Sequence, residues 1–378
     1  MKSKNYRLRE LDFLRGVAIL LVLFRHQLLF SFAHTMGWIG VDLFFVLSGF
    51  LVSGLLFREY SATQKIQPGR FLIRRGFKIY PIYYLTYFFY LIPILISGKF
   101  NSIGFLSDLI FIQNYTWGFG YAYAASWSLA IEEHFYFTIA ILLWLALKNN
   151  WIKLIVEPEK KGFSQVEKII LLIMTLCLVL RIFSNKMYPE NHVLNFTMTH
   201  LRIDSLLAGV LVSYLFNFRI QRLKNIFSKN KMALLLIAIA GICWTPFIEP
   251  MHSFFAMTIG FSLLYVSFGI LLIAFLLIND INLKLNKIFS TAVVNLVCKI
   301  GYCSYSIYII HSIVIVSVAA LDIKYGLLKN NYAEFVLATL LSIVIGIILT
   351  RSIERFFLKI RDNYFPGKVN GIARKIAE

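Results

Sequence analysis

Apolar stretches recur along the chain and set its architecture. About ten of them are long enough to cross roughly 30 Å of hydrocarbon as helices, and short polar or basic stretches separate them. The pattern predicts an all-α fold, a polytopic integral membrane bundle of about ten transmembrane helices. The predicted segments are residues 11–33, 37–57, 79–97, 127–147, 169–184, 200–217, 232–248, 254–278, 301–321 and 334–357.

Two further stretches fit this scheme less well. Residues 100–126 mix apolar and aromatic residues with glycine, and we expect a re-entrant or interfacial element on the outer side. Residues 286–299 have the spacing of an amphipathic helix, which we expect on the cytoplasmic surface. Because no internal repeat or linker interrupts the chain, one membrane domain is predicted over residues 1–360, followed by a short basic cytoplasmic tail over 361–378.

Composition and charge favour a membrane protein over a nucleic-acid-binding one. Hydrophobic residues make up 59% of the chain and charged residues 15%, and the mean hydropathy is +0.72. The net charge of +19 comes from 38 Lys and Arg, of which 30 lie in loops that are inside if the N-terminus is cytoplasmic, and 4 in outside loops. This distribution follows the positive-inside rule. It predicts a multi-pass protein of the cytoplasmic (inner) membrane with both termini cytoplasmic.

Arg15 and His26 lie within the first apolar segment. A charge facing lipid costs about 2.5–3.5 kcal/mol, so both side chains need an explanation. Eleven helical steps return to the same face over about 16 Å. The two residues either snorkel towards the nearest interface or line a polar pathway, and their apolar neighbours favour the pathway.

More polar residues are predicted near the outer ends of four segments. Without compensation they would cost more than the marginal stability of a domain. We expect them to neutralise one another in a shared, water-filled cavity, although a purely structural ion-pair network would also account for them. The group consists of Arg25, His26, Asp42, Glu132, Glu133, His200, Arg202 and Asp204. Asp42 also shares a helix face with Gly49 and Ser53, a stripe that suits close helix packing.

The inner side carries a second polar group. Residues 69–81 form a basic loop whose cations suit phosphate binding by charge and forked hydrogen bonds, although loops on this side are generally basic. Arg15 faces this loop from within the membrane. The loop's cations are Arg70, Arg74, Arg75 and Lys78. The ninth segment carries a polar face near mid-membrane, which consists of Ser304, Tyr308 and His311. We expect this face either to line a pathway or to join helices through hydrogen bonds.

These residue types together suit acyl transfer across a membrane. An outward-facing histidine among carboxylates and arginines can act as a general base on an acceptor hydroxyl, or carry the acyl group covalently. A basic inner mouth can hold a phosphorylated donor. Arginine or a helix terminus can stabilise the oxyanion of the transfer.

Six sets of motifs, in order along nearly the whole chain, match those of a known family. Through them the chain resembles the membrane acyltransferase-3 family, whose members acylate sugars of bacterial surface polysaccharides, peptidoglycan or secondary metabolites. No single motif is conclusive, but the six together are specific. They are LDFLRGVAILLVLFRH (11–26), GWIGVDLFFVLSGFLVS (37–53), RRGFKIYP (74–81), WSLAIEEHFYF (127–137), LRIDSLLAG (201–209), and IGYCSYSIYIIH (300–311) with SIERF (352–356).

The resemblance implies an O-acyltransferase that uses cytoplasmic acyl-CoA, in the first place acetyl-CoA, as co-substrate. The acceptor would be a hydroxyl of an extracytoplasmic cell-envelope glycan or of a lipid-linked sugar. The family's cytoplasmic RxxR pattern appears here as Arg75-Gly76-Phe77-Lys78, so that a point charge replaces one forked donor. No metal is expected, and the four cysteines lack CxxC spacing.

The residues are assigned to three roles on this basis. His26, Glu132 and Arg15 are assigned to catalysis. Donor binding is assigned to Arg15, Arg70, Arg74, Arg75 and Lys78. The path of the substrates is assigned to Arg25, Asp42, Ser48, Arg202, Asp204, Tyr308 and His311.

Two other functions remain open at this point. A transporter or flippase of polysaccharide precursors would also need charged helices, although no inverted repeat or pair of broken helices supports it. A membrane sensor or scaffold would be expected to have an added soluble domain. The partners expected of the enzyme are the bilayer and a glycan acceptor. Because no hydrolase-like domain follows the last segment, the final transfer is expected within the membrane domain or with a separate extracytoplasmic transferase.

Overall fold

The chain folds as an array of helices. The computed structural model describes residues 8–26, 30–155, 162–326, 328 and 330–366, and this part of the chain contains no strand. The predicted all-α class is therefore confirmed. The α-helices are α1 (Arg9–Arg25), α2 (Ser31–Met36), α3 (Ile39–Thr63), α4 (Pro68–Ile96), α5 (Ser102–Leu109), α6 (Gln113–Thr116), α7 (Trp127–Lys148), α8 (Gln165–Met187), α9 (His192–Thr197), α10 (Ile203–Phe218), α11 (Ile220–Cys243), α12 (Phe261–Leu277), α13 (Ile281–Phe289), α14 (Thr291–Tyr302), α15 (Ser304–Tyr325), α16 (Asn331–Leu349) and α17 (Arg355–Tyr364).

Seven helical units in the described ranges are long and apolar enough to cross a membrane. They contain α3, α4, α7, α11, α12, α15 and α16. The other three predicted segments coincide with α1, α8 and α10, of which α1 has 17 residues and α10 has 16. The structure thus supports a multi-pass membrane protein, while the count of about ten and the cytoplasmic termini stay predictions. Most of the predicted basic tail, residues 367–378, lies outside the described residues.

The first predicted segment, residues 11–33, is wrong at its outer end. Helix α1 ends at Arg25, His26 is its C-cap, and the short α2 follows from Ser31. The chain then turns at Gly37 back against the end of α1. A Cβ at Gly37 would meet the backbone of Leu21 and Arg25, so only glycine permits this close return.

The basic stretch predicted as a loop is helical. Helix α4 begins at Pro68, eleven residues before the predicted start of the segment at 79. Proline suits the first turn of a helix because its missing N–H has no partner there anyway. Arg70, Arg74 and Lys78 therefore follow one another along one side of α4 at four-residue intervals, and Arg75 lies about 100° around the helix from Arg74.

Helices α3 and α10 pack closely at the centre of the bundle. A Cβ at Gly49 of α3 would collide with the backbone of Leu206, and one at Gly209 of α10 would collide with that of Val46. The two glycines thus let the helix backbones approach on both sides of the contact, as small residues do in membrane bundles. This confirms the predicted close-packing stripe on α3.

The two irregular stretches become short helices. Residues 100–126 contain α5, α6 and a 3-10 turn at Ala124–Ser126. The buried carboxylate of Asp108 holds this region together, because its two oxygens accept hydrogen bonds from the backbone N–H groups of Tyr121 and Ala122, each at 2.9 Å. The predicted amphipathic helix over 286–299 is divided between α13 and α14, and α14 packs along α1.

Candidate functional site

A cavity of about 220 Å³ lies between five helices, α1, α3, α4, α7 and α15. Its walls are largely apolar, and polar side chains lie at intervals along it. We call the end of the cavity that is lined by Arg58 of α3 and Arg75 of α4 its mouth. The polar lining consists of Arg15, Ser48, Arg58, Arg75, Lys78, Ser128, Glu132, Tyr136, Ser304, Tyr305 and Tyr308.

Four cations line the mouth side of this cavity. Arg58 comes from α3, Arg75 and Lys78 from α4, and Arg15 from α1. The guanidinium of Arg75 lies 4.8 Å from the centroid of the Tyr136 ring, and Lys78 forms a salt bridge with Glu354. Arg15 makes neither a hydrogen bond nor a salt bridge to the residues that the structure describes. Three carboxylates, Asp12, Glu354 and Glu132, attract its guanidinium from beyond salt-bridge distance. The guanidinium N–H groups remain available to an anionic ligand.

A chain of hydrogen bonds places Glu132 on the cavity wall. The hydroxyl of Tyr136 donates to Glu132 Oε2 at 2.8 Å, and it lies 2.7 Å from the hydroxyl of Ser48. Glu132 and Tyr136 are four residues apart on α7, so both reach the same side of that helix. The carboxylate is held in place opposite Arg15, although it was predicted among the outer polar residues.

Ser128 and Tyr308 close the deep end of the cavity. Their hydroxyls lie 2.7 Å apart, and the Tyr308 hydroxyl also lies 2.9 Å from the Ala125 carbonyl. The Ser128 hydroxyl lies 3.2 Å from the same carbonyl, which can accept a hydrogen bond from either hydroxyl. This pair lies between the cavity and the ring of His311.

A pair of histidines follows beyond Tyr308. The ring of His311 lies 5.4 Å from that of Tyr308, and the His26 ring lies 4.8 Å from that of His311. His311 is fully buried, whereas His26 is exposed at the end of α1. Nδ1 of His311 lies 2.5 Å from the Tyr308 carbonyl. It must therefore carry a proton, which leaves Nε2 as an acceptor when the ring is neutral.

The prediction that all the outer polar groups share one water-filled cavity is wrong. Asp42 pairs with Arg202 at 2.8 Å and Arg181 pairs with Asp204 at 2.9 Å, and all four side chains are fully buried. Aromatic rings surround the cations: the Arg202 guanidinium lies 3.5 Å from the centroid of Phe261. These groups are neutralised by pairing and by ring faces, although Asp42 Oδ2 and the Nε and Nη1 atoms of Arg202 have no hydrogen-bond partner in the described structure. None of the four lines the described cavity.

The other residues predicted near the outer side, Arg25, Glu133 and His200, do not line the described cavity either. Arg25 donates to Glu249 Oε2 at 2.9 Å, in a pair that is partly exposed. Glu133 accepts a hydrogen bond from Tyr80 at 2.8 Å, and His200 is stacked on Tyr115. Arg25 therefore belongs to the outer surface of the molecule and not to the cavity lining.

The basic residues of α4 are divided in the same way. Arg75 and Lys78 face the cavity, whereas Arg74 pairs with Asp362 of α17 at 3.2 Å. Arg70 does not belong to the cavity lining in the described structure. Two of the four predicted donor-binding residues of α4 therefore reach the cavity, as does Arg15.

Sequence reasoning missed several residues of the cavity. Arg58 follows Ser48, Leu51 and Leu55 at helical spacing on one face of α3, and this spacing was a usable signal. Ser128 and Tyr136 precede and follow Glu132 by one turn of α7. The partners from distant segments, Glu354 and Glu249, gave no local signal. Within the described ranges no cluster of three His, Cys, Asp or Glu suited to a metal ion occurs.

Comparisons with known proteins point to one family. A family model described as an acyltransferase domain (Acyl_transf_3) matches residues 8–351. The chain is 28% identical over 394 residues to the peptidoglycan O-acetyltransferase OatA of Listeria monocytogenes, covering 99% of this chain and 58% of that protein. It is 33% identical over 151 residues to YrhL, a candidate peptidoglycan O-acetyltransferase of Bacillus subtilis, covering 36% of this chain and 24% of the relative.

A third relative matches about half of this chain. A candidate O-acetyltransferase of Staphylococcus aureus is 30% identical over 222 residues, covering 54% of this chain and 34% of the relative. The chain thus spans little more than half the length of the first of these relatives and less of the others. No solved structure gives a significant match.

Proposed function

Because the chain belongs to the acyltransferase family whose domain matches residues 8–351, which confirms the resemblance seen in its motifs, we propose that it is an integral-membrane O-acetyltransferase. In this proposal it takes an acetyl group from cytoplasmic acetyl-CoA. It transfers the group to a hydroxyl of a cell-envelope glycan, or of its lipid-linked precursor, on the opposite side of the membrane.

One observation carries the proposal: a single cavity runs from the Arg15 guanidinium to the Ser128–Tyr308 contact, which borders the histidine pair. Arg15 and Glu132 line the cavity, and Tyr308 closes it and contacts His311, which in turn contacts His26. The donor and acceptor sides are thus separated by one tyrosine and one imidazole. A reaction that passes a small acyl group between two compartments needs this arrangement.

The mouth of the cavity suits the phosphates of coenzyme A. Arg58 and Arg75 supply forked donors and Lys78 a point charge. Buried polar atoms without a partner in the described structure, Arg75 Nε and Ser304 Oγ, are available for a ligand. At about 220 Å³ the cavity is smaller than the roughly 300–1,000 Å³ of sites for drug-sized ligands. It therefore suits the narrow acyl-pantetheine arm, with the nucleotide remaining at the mouth.

The acceptor side suits proton transfer by an imidazole. His26 is exposed and would take the proton of the acceptor hydroxyl as a general base, or would itself carry the acetyl group. In direct transfer the C–S bond of the thioester breaks as a C–O bond to the acceptor forms. In covalent transfer the C–S bond breaks as a C–N bond to the imidazole forms, and that C–N bond then breaks as the C–O bond forms. The proton released by the hydroxyl passes to the leaving thiolate. Arg15 lies among the mouth cations, eleven residues before His26 on α1, so its guanidinium is placed to hold the anionic donor during the transfer.

The acceptor and location are inferred from the relatives. OatA is a peptidoglycan O-acetyltransferase, and we extend a cell-wall glycan acceptor, a bacterial cell-membrane location and cytoplasmic termini to this chain. A separate extracytoplasmic transferase remains a possible partner of the same proposal. The transporter alternative has no observation in its favour, and the family is one of acyltransferases.

Loss of His26 tests the proposal. We expect His26→Ala to reduce O-acetylation of cell-wall glycan by at least about a hundredfold, since general acid–base catalysis contributes about 10²–10⁴. The measurement is mass spectrometry of wall fragments from cells that lack the gene and express each variant. Full glycan acetylation by a membrane-inserted His26→Ala protein would contradict the proposal.

His252→Ala is the matched control. His252 is an exposed imidazole in the Pro250–His252 turn, which follows Glu249, the partner of Arg25 on the outer surface. Its loss removes the same chemical group from the same side of the protein and should leave glycan acetylation unchanged. A second arm measures thermal unfolding of purified protein with and without coenzyme A. Stabilisation by coenzyme A should persist in His26→Ala and be lost in Arg75→Gln.

A further inference from the structure

A second cavity, of about 450 Å³, lies at the start of α1. It is bordered by the start of α1, by α14, and by the π-helical turn Thr350–Glu354 with the start of α17. No residue lines both cavities. The proposed acetyl transfer makes no use of this second cavity.

Four cations line the second cavity: Arg9, Lys299, Arg351 and Arg355. One carboxylate, Asp12, lines it as well. Within the part of the chain that the structure describes, neither Arg351 nor Arg355 has a salt bridge or a side-chain hydrogen bond. Their guanidinium groups, four residues apart, remain available for an anion.

Arg9 is fixed at the border of this cavity. Its Nη2 donates to the side-chain oxygens of Asn286 at 3.0 Å and Asn295 at 2.8 Å. Amide oxygens orient the guanidinium without neutralising its charge. The cavity therefore combines one oriented cation with three exposed ones, which is the composition of a site for a phosphate group.

The surroundings of the cavity favour a phosphate that belongs to a lipid. Leu296 of α14 is 55% exposed and Phe356 of α17 is 57% exposed, and they adjoin the lining residues Asn295 and Arg355. Apolar side chains next to a basic pocket at the end of a membrane bundle can contact acyl chains while the cations hold the headgroup. The volume also lies within the range of about 300–1,000 Å³ seen for small-molecule sites.

We propose that the cavity between α1, α14 and α17 binds the phosphate headgroup of an anionic membrane lipid. This site is independent of the acetyl-transfer site. The lipid would contact both α1 and the turn Thr350–Glu354. Helix α1 contributes Arg15 to the first cavity, and the turn contains Glu354, the partner of Lys78. A bound lipid thus stabilises the same helices that hold the donor site.

Lipid binding to the purified full-length protein tests the proposal. Native mass spectrometry compares phosphatidylglycerol with phosphatidylcholine for the wild type, Arg351→Gln/Arg355→Gln and a charge-matched control. Because each basic residue near a membrane contributes about 1 kcal/mol, the double variant should bind phosphatidylglycerol about thirtyfold more weakly. The control, Lys284→Gln/Lys287→Gln, removes two exposed charges of α13 outside the cavity and should bind as the wild type does.

Two further arms separate this idea from its alternatives. Arg351→Lys/Arg355→Lys keeps the charges and should retain most of the binding, which excludes misfolding as the cause of the loss. Glycerol phosphate and coenzyme A supply soluble phosphates. Equal binding of phosphatidylcholine, unchanged binding by the Gln variant, or binding of either soluble phosphate as tight as that of the lipid would overturn the lipid assignment.

Discussion

The buried Asp42–Arg202 pair offers a sharp test of which outer polar residues are structural. The two side chains lie 2.8 Å apart and neither is exposed. Replacing Arg202 by Leu leaves the carboxylate of Asp42 without its cation in a dry environment. Breaking a buried pair from one side costs about 3–5 kcal/mol. We therefore expect Arg202→Leu to destabilise the protein severely.

The double variant Asp42→Leu/Arg202→Leu should be much more stable than the single one. Replacing both members of a buried pair by apolar residues is often neutral or stabilising. The contact of Arg202 with the Phe261 ring, at 3.5 Å, is lost as well, and such a contact contributes up to about 2 kcal/mol. The net loss in the double variant should therefore not exceed about 2 kcal/mol.

Thermal unfolding in detergent and acetyl transfer per folded molecule form the assay. The double variant should be folded and active, because the pair lies outside the cavity that we assign to the reaction. A folded but inactive double variant would place Asp42 and Arg202 on the path of the substrates, as their motifs first indicated. An Arg202→Leu protein as stable as the wild type would show that the pair is not buried in the membrane-embedded protein.

Three further predictions follow from the same structure. Glu132→Gln should lower acetyl transfer at least about a hundredfold while the thermal stability of the protein stays near that of the wild type; full activity in the assay of wall fragments would refute a catalytic role. Gly49→Ala should cost about 1–3 kcal/mol because its Cβ meets the backbone of α10, whereas Gly69→Ala, with nothing within 4 Å, should unfold at nearly the wild-type temperature. Burial favours a higher pKa for Glu167, but hydrogen bonds from Ser164 and Arg219 outweigh it and lower the pKa below its ordinary value of 4.5. The stability from this carboxylate is thus present above about pH 4.5 and is lost as the pH falls below it. The free energy of unfolding of Glu167→Gln should therefore fall less steeply than that of the wild type as the pH is lowered below about 4.5.

The helices were largely predictable from the sequence, and the errors have local causes. Long apolar stretches identify most of them, since, apart from a closed β-barrel, only a helix satisfies all of its backbone hydrogen bonds within lipid. The start of α4 was missed because basic residues were taken as a loop, although Pro68 is a favourable first residue of a helix. The end of α1 was missed because the chain returns at Gly37 through a close contact with the backbone of Leu21 and Arg25 in α1, and this contact has no local sequence signal.

The site was predictable where its residues share a helix face or a motif. Arg15, Ser48, Glu132, Arg75 and Lys78 were all identified from the sequence, and the structure brings them into one cavity. The separation of the outer polar residues into individual pairs was not predictable in this way. That separation depends on which helices pack together, and the sequence pattern alone does not give the packing of α3 against α10.

Cysteine labelling tests the central claim, that a cavity open to the donor side reaches Ser48. In a Cys243→Ser/Cys298→Ser/Cys303→Ser background, which removes the exposed cysteine and the two that line the second cavity, only the buried Cys177 remains. A maleimide reagent therefore reports Ser48→Cys selectively, with the buried Ser53→Cys as control. Applied from the cytoplasmic side, the reagent should modify Ser48→Cys, coenzyme A should protect it, and Ser53→Cys should stay unmodified. Absence of labelling at Ser48→Cys, or labelling that coenzyme A leaves unchanged, would contradict the account.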